Sequence, residues 1–586
     1  MRQWMVAAKK ADFYAIAEKF HVDPVVARII RNREVIGEKN IRIYLGGNLS
    51  DLSDPHQMKD MDRLVEILAQ KIRKQVHIRI IGDYDVDGVT SSHLFLTALR
   101  RVGAKVDVVI PHRIQDGYGL SLHLLQQAKE DGVDTILTCD NGIAAIDEIA
   151  WAKARKMTVL VTDHHAVPFE EHEGRRTEKK SLADAVVNPH QQDCRYPYKE
   201  LCGAGVAWNV IRVLYENYDM DKREAEDLLD FVAMATVCDV MSLTGENRIL
   251  VKEGLKRIRH TKNIGLQALM QACNVQPENI SAYHFGYVLG PCVNATGRLD
   301  TARHALRLFE TGQETEAEEI ARDLVDLNQE RKELTLQGVE MAKKLCEEGG
   351  YENDPVLVLF LPDVHESIAG LIAGRIREMY NRPVFVLTRG EEGVKGSGRS
   401  TENYSMYENM CGCAELFTKF GGHPMAAGLS LPEENVEKFR RKINENCPLT
   451  VEEVCPDIHI DMAMPVGYAS TELVHQFALL EPFGKDNPSP LFADRNLSIS
   501  RMWVIGKNRN VLRMSVLSEY GQPVPVIFFG DVETLFAYFT EKFGQEEVEN
   551  ALHGRKNRIL FSMVYTAKVD FYQGNENLQL EMKYYR

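Results

Sequence analysis

No apolar run in the 586-residue chain reaches the roughly 18 residues that a membrane-crossing helix needs. A spanning segment is excluded on that ground. The first residues, MRQWMVAAKKADF, hold no uninterrupted apolar core and no small-residue cleavage site, so no secretory signal is expected and the cytoplasm is the expected location. Cysteine is sparse: of eleven, the one close pair is Cys411 and Cys413, with no second pair to match it. Structural zinc is therefore not expected, and reduced thiols are. No Gly-x-x-x-x-Gly-Lys-Ser/Thr string occurs, so ATP hydrolysis is not indicated. Positive charge is short as well, with 70 Lys and Arg against 85 Asp and Glu and a formal net charge of −15. Taken whole, that argues against a nucleic-acid partner, because phosphate binding is largely electrostatic. A whole-chain sum averages over any local basic groove, so the regions are read separately.

What is present is an ordinary globular composition, 44% hydrophobic and 26% charged, in a chain long enough for roughly two to four domains. The organising string is Ile81-Gly82-Asp83-Tyr84-Asp85-Val86-Asp87-Gly88. It follows the apolar run Val76 to Ile81, which reads as a strand, and precedes Thr90 to Leu99, which reads as a helix. Carboxylates gathered where a strand ends suit Mg²⁺ or Mn²⁺ in an open α/β sheet. Alone, the string reads equally well as a solvated acidic turn. Further apolar runs, Val106–Ile110, Thr135–Cys139, Thr158–Thr162 and Ala183–Val187, are spaced by helix-length segments, which predicts βαβ units and a mainly parallel sheet. Their ends carry Pro111-His112-Arg113 with Asp116-Gly117-Tyr118-Gly119, then Asp140-Asn141-Gly142, then Asp163-His164-His165. Ligand-type residues at four successive strand ends favour a site over coincidence.

Residues 1–74 read as a helical lead-in with an apolar stripe at Val25, Val26, Ile29 and Ile30, and 75–310 as the main α/β domain. Within it, Asp239 places one more carboxylate after an apolar helix. Residues 311–350 form a connecting helix whose seam runs Ile320, Leu324, Leu327, Leu334, Gly338, Met341 and Leu345, with Arg331 standing in its one gap. A second α/β pattern fills 351–450: runs Val356–Leu361 and Pro383–Leu387 flank a helix, Ser367–Tyr380, that carries Arg375. The strings Gly396-Ser397-Gly398-Arg399-Ser400 and Gly421-Gly422-His423-Pro424 follow. Glycines let a backbone approach a ligand, and Ser, Arg and His are donors for phosphate oxygens; with Arg375 they suggest a phosphate or nucleic-acid backbone site rather than ordinary Gly-rich turns. Residues 455–586 shorten to strand-like pieces that predict an OB-like β-barrel. There Arg501, Lys507, Arg509 and Arg513 accompany Trp503 without an acid between them, and Arg555, Lys556 and Arg558 form a second cluster. Charge interleaved with aromatic rings suits single-stranded nucleic acid.

The ordered strings IGDYDVDGVTS, CDNGI, TDHH, ATVCDV, NATGRLD, KGSGRS, GGHPMAAG and EPFGKDNPSP resemble the DHH phosphoesterase superfamily, and within it the RecJ family of bacterial 5′-to-3′ exonucleases of single-stranded DNA. The resemblance covers nearly the whole chain. It implies a DHH catalytic domain, a DHHA1 substrate-binding domain and a C-terminal OB-like domain acting in DNA recombination and repair. It also implies two divalent cations, Mn²⁺ or Mg²⁺, on Asp83, Asp85, Asp140, His164 and Asp239, with Asp140 as the bridge and Asp87 either a ligand or a support. By the same resemblance His165 contacts the scissile phosphate or the attacking water, Arg375, Ser397, Arg399 and His423 hold phosphates near the cut, and Arg113 and Arg298 recognise the 5′ phosphate. A helicase and a single-strand-binding protein are the implied protein partners, and no oligomer seam is legible, so a monomer is expected. The alternatives are a hydrolase of short oligonucleotides or cyclic dinucleotides and a non-catalytic replication scaffold. The chain departs from the family's habit at Asp486, where Gly is common, and in the acidic stretch Asp363 to Ser367.

Overall fold

The computed structural model describes residues 3–586 apart from 114–115, 117–118, 173–174, 391–392, 507–508 and 573. The sequence-singled Gly117, Tyr118 and Lys507 therefore lie outside the described residues. Two compact units are present. The larger comprises Leu52–Met241 and Ile249–Pro456; the smaller comprises Gln3–Asp51, Ser242–Arg248 and Asp457–Arg586.

The larger unit begins with five parallel strands: β1 (His77–Ile81), β2 (Lys105–Val109), β3 (Thr135–Cys139), β4 (Thr158–Thr162) and β5 (Ala185–Val187). They lie in the order β2-β1-β3-β4-β5. Strands covered on both faces must be apolar throughout, and Ile78, Ile80, Ile136, Leu137, Val159 and Leu160 are all fully buried. The chain passes from β1 to β2 on one side and then returns to lay β3 on the other side of β1. That reversal opens a crevice at the carboxyl ends of β1 and β3, where sheets of this order bind ligands. Helices α1 (Val86–Arg101), α2 (Gly203–Asn217), α3 (Leu229–Cys238) and α4 (Gly290–Leu299) follow, and then the 35-residue α5 (Glu314–Glu348).

A second lobe of the same unit holds β6 (Leu357–Phe360), α6 (Ala369–Tyr380), β7 (Val384–Gly390), β8 (Gly393–Arg399), β9 (Lys419–Gly422) and β10 (Ala426–Leu431). Its sheet order is β9-β10-β8-β7-β6, parallel only between β6 and β7. Here the structure gives the glycines another task than admitting a ligand. Gly396 to Arg399 form no turn; they are the central strand. The glycines serve packing: a Cβ on Gly396 would stand 2.4 Å from a Leu387 methyl, and one on Gly398 would stand 2.6 Å from Met406 Sδ. Alternation along the strand then turns Ser397 and Arg399 to the opposite face.

In the smaller unit, β11 (Phe492–Ile505), β12 (Val511–Leu517), β13 (Pro523–Phe529), β14 (Leu560–Tyr572) and β15 (Asn575–Tyr585) pair in the order β11-β12-β13-β15-β14. β14 pairs back onto β11, so the sheet closes on itself. The lead-in read as residues 1–74 is divided by the structure at Asp51 and Leu52. Val25, Val26, Ile29 and Ile30 enter the core that contains Leu512, Phe539 and Tyr565, and Arg33 reaches across 428 positions to Asp461, Nη1 to Oδ1 2.8 Å. Such a pairing is invisible to local periodicity. The string EPFGKDNPSP belongs to the same unit: buried Asn487 accepts the Tyr44 hydroxyl (2.8 Å), and Arg248 donates to the carbonyls of Tyr44, Leu479 and Leu480. Asp486 has φ of 59°, a left-handed conformation natural to Gly and tolerated by Asp.

Candidate active site

Three strands deliver polar groups to the crevice as they end. Asp83 follows β1. Two residues on, extended Asp85 caps α1, its Oδ1 accepting the Gly88 amide at 3.0 Å. The turn is too tight for a side chain at Gly88, whose Cβ would stand 2.4 Å from the Asp83 carbonyl oxygen. Asp140 follows β3 with φ of 61°, a conformation that costs a residue bearing a Cβ. Asn141 secures the corner by donating to the carbonyls of Ile81 (3.0 Å) and Cys139 (2.9 Å), which ties the two strand ends together. Facing it, a Cβ on Gly203 would lie 2.6 Å from Asp140 Cβ, so α2 can start this close only with glycine there.

Ligand atoms converge in three overlapping groups, each within 4.8 Å: Asp83 with Asp85 and Asp140, Asp140 with His164 and His165, and Asp87 with His164 and Asp239. His164 Nε2 lies 3.0 Å from Asp140 Oδ1 and 3.6 Å from Asp239 Oδ2. Burial and then the charge on Asp85 push the Asp83 carboxyl far above the usual range. Burial, Asp87 and Asp85 do the same to Asp140, and burial followed by Asp87 raises Asp85. His164 is pulled down by burial and stays neutral, as a metal-binding imidazole must. Asp83 Oδ1 and His164 Nε2 are buried without a hydrogen bond. Hard carboxylate oxygens with a neutral imidazole fit Mn²⁺ or Mg²⁺, and a cation would both satisfy these atoms and offset the repulsion.

Two aspartates in these strings also bond to the protein's own groups. Asp163 Oδ1 accepts the amides of His164 (2.7 Å) and His165 (3.0 Å) and pairs with His165 Nδ1 (2.8 Å), while its Oδ2 accepts the Ile143 amide (2.9 Å). It thereby joins the loops after β3 and β4 and orients His165. Burial alone would lower the His165 imidazole, but the hydrogen bond and charge of Asp163 outweigh it and raise the group to about 9. Asp87 spends both oxygens on the first turn of α2, accepting Gly203 N–H (2.6 Å) and Ala204 N–H (2.7 Å), where the helix dipole favours an anion.

Next to the acids stands a cluster of arginines. The Arg113 guanidinium lies 4.8 Å from the centre of the Tyr84 ring. α4 passes so close that a Cβ on Gly297 would meet the Tyr84 carbonyl at 2.4 Å, and its Arg298 donates to the Ser367 carbonyl at 2.6 Å. Arg399 reaches Ser397 Oγ at 3.3 Å. Arg331, held by Asn328 Oδ1 at 2.8 Å, completes the group. Burial first, then Arg113, Arg331 and Arg399, bring Arg298 down to about 10; Arg399 is lowered by burial and then Arg113. A cavity of about 470 Å³ opens here, lined by Tyr84, Arg113, Ser367, Lys395, Ser397 and Lys419 among others.

The structure thus brings Arg113, Arg298, Ser397 and Arg399 together. Arg375 lies apart from that lining on the exposed face of α6, paired with Glu378 at 3.4 Å, and His423 sits in the exposed turn between β9 and β10. Lys395 and Lys419 escaped the sequence reading, which named Arg331 and Asp163 without giving either a role at the site. For Arg331 a signal existed, a cation in an otherwise apolar seam. In the smaller unit, Arg501 lies over the half-exposed Trp503 ring at 5.7 Å. A Cβ on Gly554 would stand 3.5 Å from the Arg501 side chain, which puts the two basic strings side by side. The second is free of acid only in sequence, since Arg558 pairs with Glu547 at 2.8 Å. Among the described residues, no helix is long and apolar enough to cross a membrane.

Residues 77–236 match the model of the DHH family, N-terminal domain, 353–447 that of the DHHA1 domain, and 460–584 that of the RecJ OB domain. The chain is 33% identical to the single-stranded-DNA-specific exonuclease RecJ of Bacillus subtilis, over 87% of its own length and 63% of that relative's. It is 32% identical to the protein of the same name from Haemophilus influenzae, over 96% of both. The chain therefore spans just under two thirds of the first relative and nearly all of the second. The solved structure of Thermus thermophilus RecJ in complex with Mn²⁺ matches with a TM-score of 0.81 at 25% identity, covering 100% of this chain and 79% of that one. A structure of an exonuclease RecJ bound to manganese matches at 0.57 and 32% identity, over 66% of this chain and 94% of that one.

Proposed function

The chain belongs to the RecJ family of single-stranded-DNA-specific exonucleases, and from that premise we propose that it removes nucleotides from the 5′ end of single-stranded DNA by metal-dependent hydrolysis, in DNA recombination and repair. One observation carries the reading: a largely buried cluster of carboxylates that calls for cations adjoins a half-buried cluster of arginines that calls for an anion, with Tyr84 between them. Asp83, Asp85, Asp140, His164 and Asp239 would hold the ions, Asp140 belonging to two of the three ligand groups. Two bound cations supply an acidified water and counter-charge for the attacking and leaving oxygens.

The protein's own groups do the rest. Arg113, Arg298 and Arg399, with Ser397, bind the oxygens of the strand's terminal phosphates and hold the next linkage against the acid cluster. Their planar guanidinium groups suit the paired oxygens of phosphate. Asp163 fixes the ring of His165, whose other nitrogen serves the scissile phosphate or the attacking water. Asp87 positions α2 through its bonds to the helix amides, with His164 and Asp239 close enough for it to share an ion. Arg375 and His423 contribute farther along the strand. Trp503 and the basic strings of the smaller unit bind the strand itself. The acidic total is compatible with this substrate, since bound cations neutralise much of the carboxylate cluster. A monomer working with a helicase and a single-strand-binding protein completes the proposal.

The test is digestion of single strands labelled at either end, from two nucleotides upward, with Mn²⁺. Release of the 5′ label first, and faster cleavage of longer strands, is the expected result. Release of the 3′ label first, or dinucleotides cut as well as long strands, would overturn it.

A further inference from the structure

Two of the chain's free thiols are in contact, outside the metal cluster. Cys273 caps the helix Ile264–Ala272, Cys292 lies in the first turn of α4, and their sulfurs stand 3.8 Å apart. Cys273 is half-buried and Cys292 is buried, at 2% exposure. The hydrogen bond from Cys292 first, and then the Lys332 ammonium, hold the Cys273 thiol below its usual range against the opposing effect of burial. The same contact, followed by burial, pushes Cys292 up. An accessible thiol of lowered pKa with a second thiol against it is the arrangement of a cysteine that oxidises reversibly.

Cys292 is also tied to the arginine cluster. Its Sγ accepts the Asn328 Nδ2 amide at 3.4 Å and donates to the Val288 carbonyl at 3.3 Å. At the other end of that amide group, Asn328 Oδ1 accepts Arg331 Nε at 3.1 Å and Nη2 at 2.8 Å. Asn328 is only 4% exposed, so water has little access to replace these bonds. Contact thus runs from Cys273 through Cys292 and Asn328 to Arg331, which stands close enough to Arg298 to lower it. Arg298 itself lies about 9 Å beyond Cys292 along the axis of α4.

We propose that peroxide joins Cys273 and Cys292 in a reversible disulfide, which loosens Arg331 and so weakens the hold on the strand's terminal phosphates. The effect on the strand rests on the reading of the arginine cluster given above; the bond itself does not. The Cys273 thiolate attacks one oxygen of hydrogen peroxide, the O–O bond breaks, and the departing hydroxide takes up a proton to leave as water. The Cys292 sulfur then attacks the sulfenic acid on Cys273. The S–O bond breaks, and the hydroxyl leaves with the Cys292 proton as a second water. Two thiols are oxidised and one peroxide is reduced to two waters; a dithiol reverses the bond by exchange. Disulfide sulfurs lie about 2 Å apart, so the pair must close from 3.8 Å and Cys292 leaves the place that Val288 and Asn328 fix.

The test treats the full chain with hydrogen peroxide and blocks the remaining thiols. Mass spectrometry reads the linked Cys273–Cys292 peptide, and fluorescence anisotropy in EDTA reads the affinity for a 5′-phosphorylated single strand. The linked peptide is expected, with affinity lowered at least about tenfold, the worth of one hydrogen bond to a charged group, and restored by dithiothreitol. Cys273→Ser should keep the wild-type affinity and lose the response to peroxide. Arg331→Ala should bind weakly from the start and be weakened no further. With Mn²⁺, oxidation should raise KM and leave kcat in place. The proposal fails if excess peroxide yields no linked peptide, if the bond forms and affinity holds, or if Cys273→Ser responds as the wild type does. It fails equally if oxidation costs Arg331→Ala as much again. A chain that binds and switches in this way but never cuts would uphold the proposal and overturn the nuclease reading alone.

Discussion

The acid cluster at the ends of β1 and β3 and the arginine cluster around Tyr84 share one physical plan with opposite signs. In each, like charges are crowded side by side, the acids largely buried and the arginines half-buried, and each is relieved by a ligand of the other sign. They differ in how the charges are held. The acids sit on short side chains fixed by strand ends, a helix cap and a left-handed corner at Asp140. The arginines arrive on long side chains from the loop after β2, from α4, from α5 and from β8. A cation site tolerates little variation in ligand position, whereas guanidinium groups can follow a phosphate as the strand advances. The contrast separates chemistry from grip.

Changing one cluster at a time exposes that separation. Asp140→Ala should reduce Mn²⁺-dependent cleavage to background while leaving strand binding by gel shift largely intact; cleavage that survives would merge the two roles. Arg298→Ala should cost about ten- to a hundredfold on 5′-phosphorylated strands, the range of a hydrogen bond to a charged group, with Mn²⁺ affinity unchanged. A matching fall in Mn²⁺ affinity would mean that the clusters are not independent. Asp163→Asn should slow cleavage about ten- to a hundredfold, as lost support of a site imidazole does, and shift the pH profile to lower pH, because the imidazole loses the partner that raises it. An unshifted profile would deny Asp163 that role. The smallest effect is expected of Trp503→Ala, about 1 kcal/mol of lost stacking on long strands and none on trinucleotides; equal losses on both lengths would place the ring elsewhere in the mechanism.

How far these features are legible in sequence follows from the same difference. The acids stand in short strings after apolar runs, so β1 to β5 and the residues at their ends could be read directly. Asp163 was visible as a residue but not as a brace, because its partners His165 and Ile143 are set by loop geometry. The arginines have no common string, and Arg331 lay hidden in a helix that reads as packing. β8 was not read as a strand because its glycines, common in turns and ligand loops, are there to admit Leu387 and Met406. The helices of Gln3–Asp51 looked like a lead-in because their core partners lie at the far end of the chain.

The central claim is that the acid cluster destabilises the metal-free fold and that cations offset this. Asp83, Asp85 and Asp140 ionise at higher pH in the fold than in the unfolded chain, where a carboxyl titrates near ~3.9. Their contribution to stability is therefore full below that value and is lost as pH rises through the folded values. The direct measurement is the melting temperature of the wild type and of Asp140→Asn at neutral pH, in EDTA and with Mn²⁺. The account predicts that Asp140→Asn melts higher than the wild type in EDTA and loses most of the rise that Mn²⁺ gives. A variant that melts lower in EDTA and still gains the full rise with Mn²⁺ would contradict it.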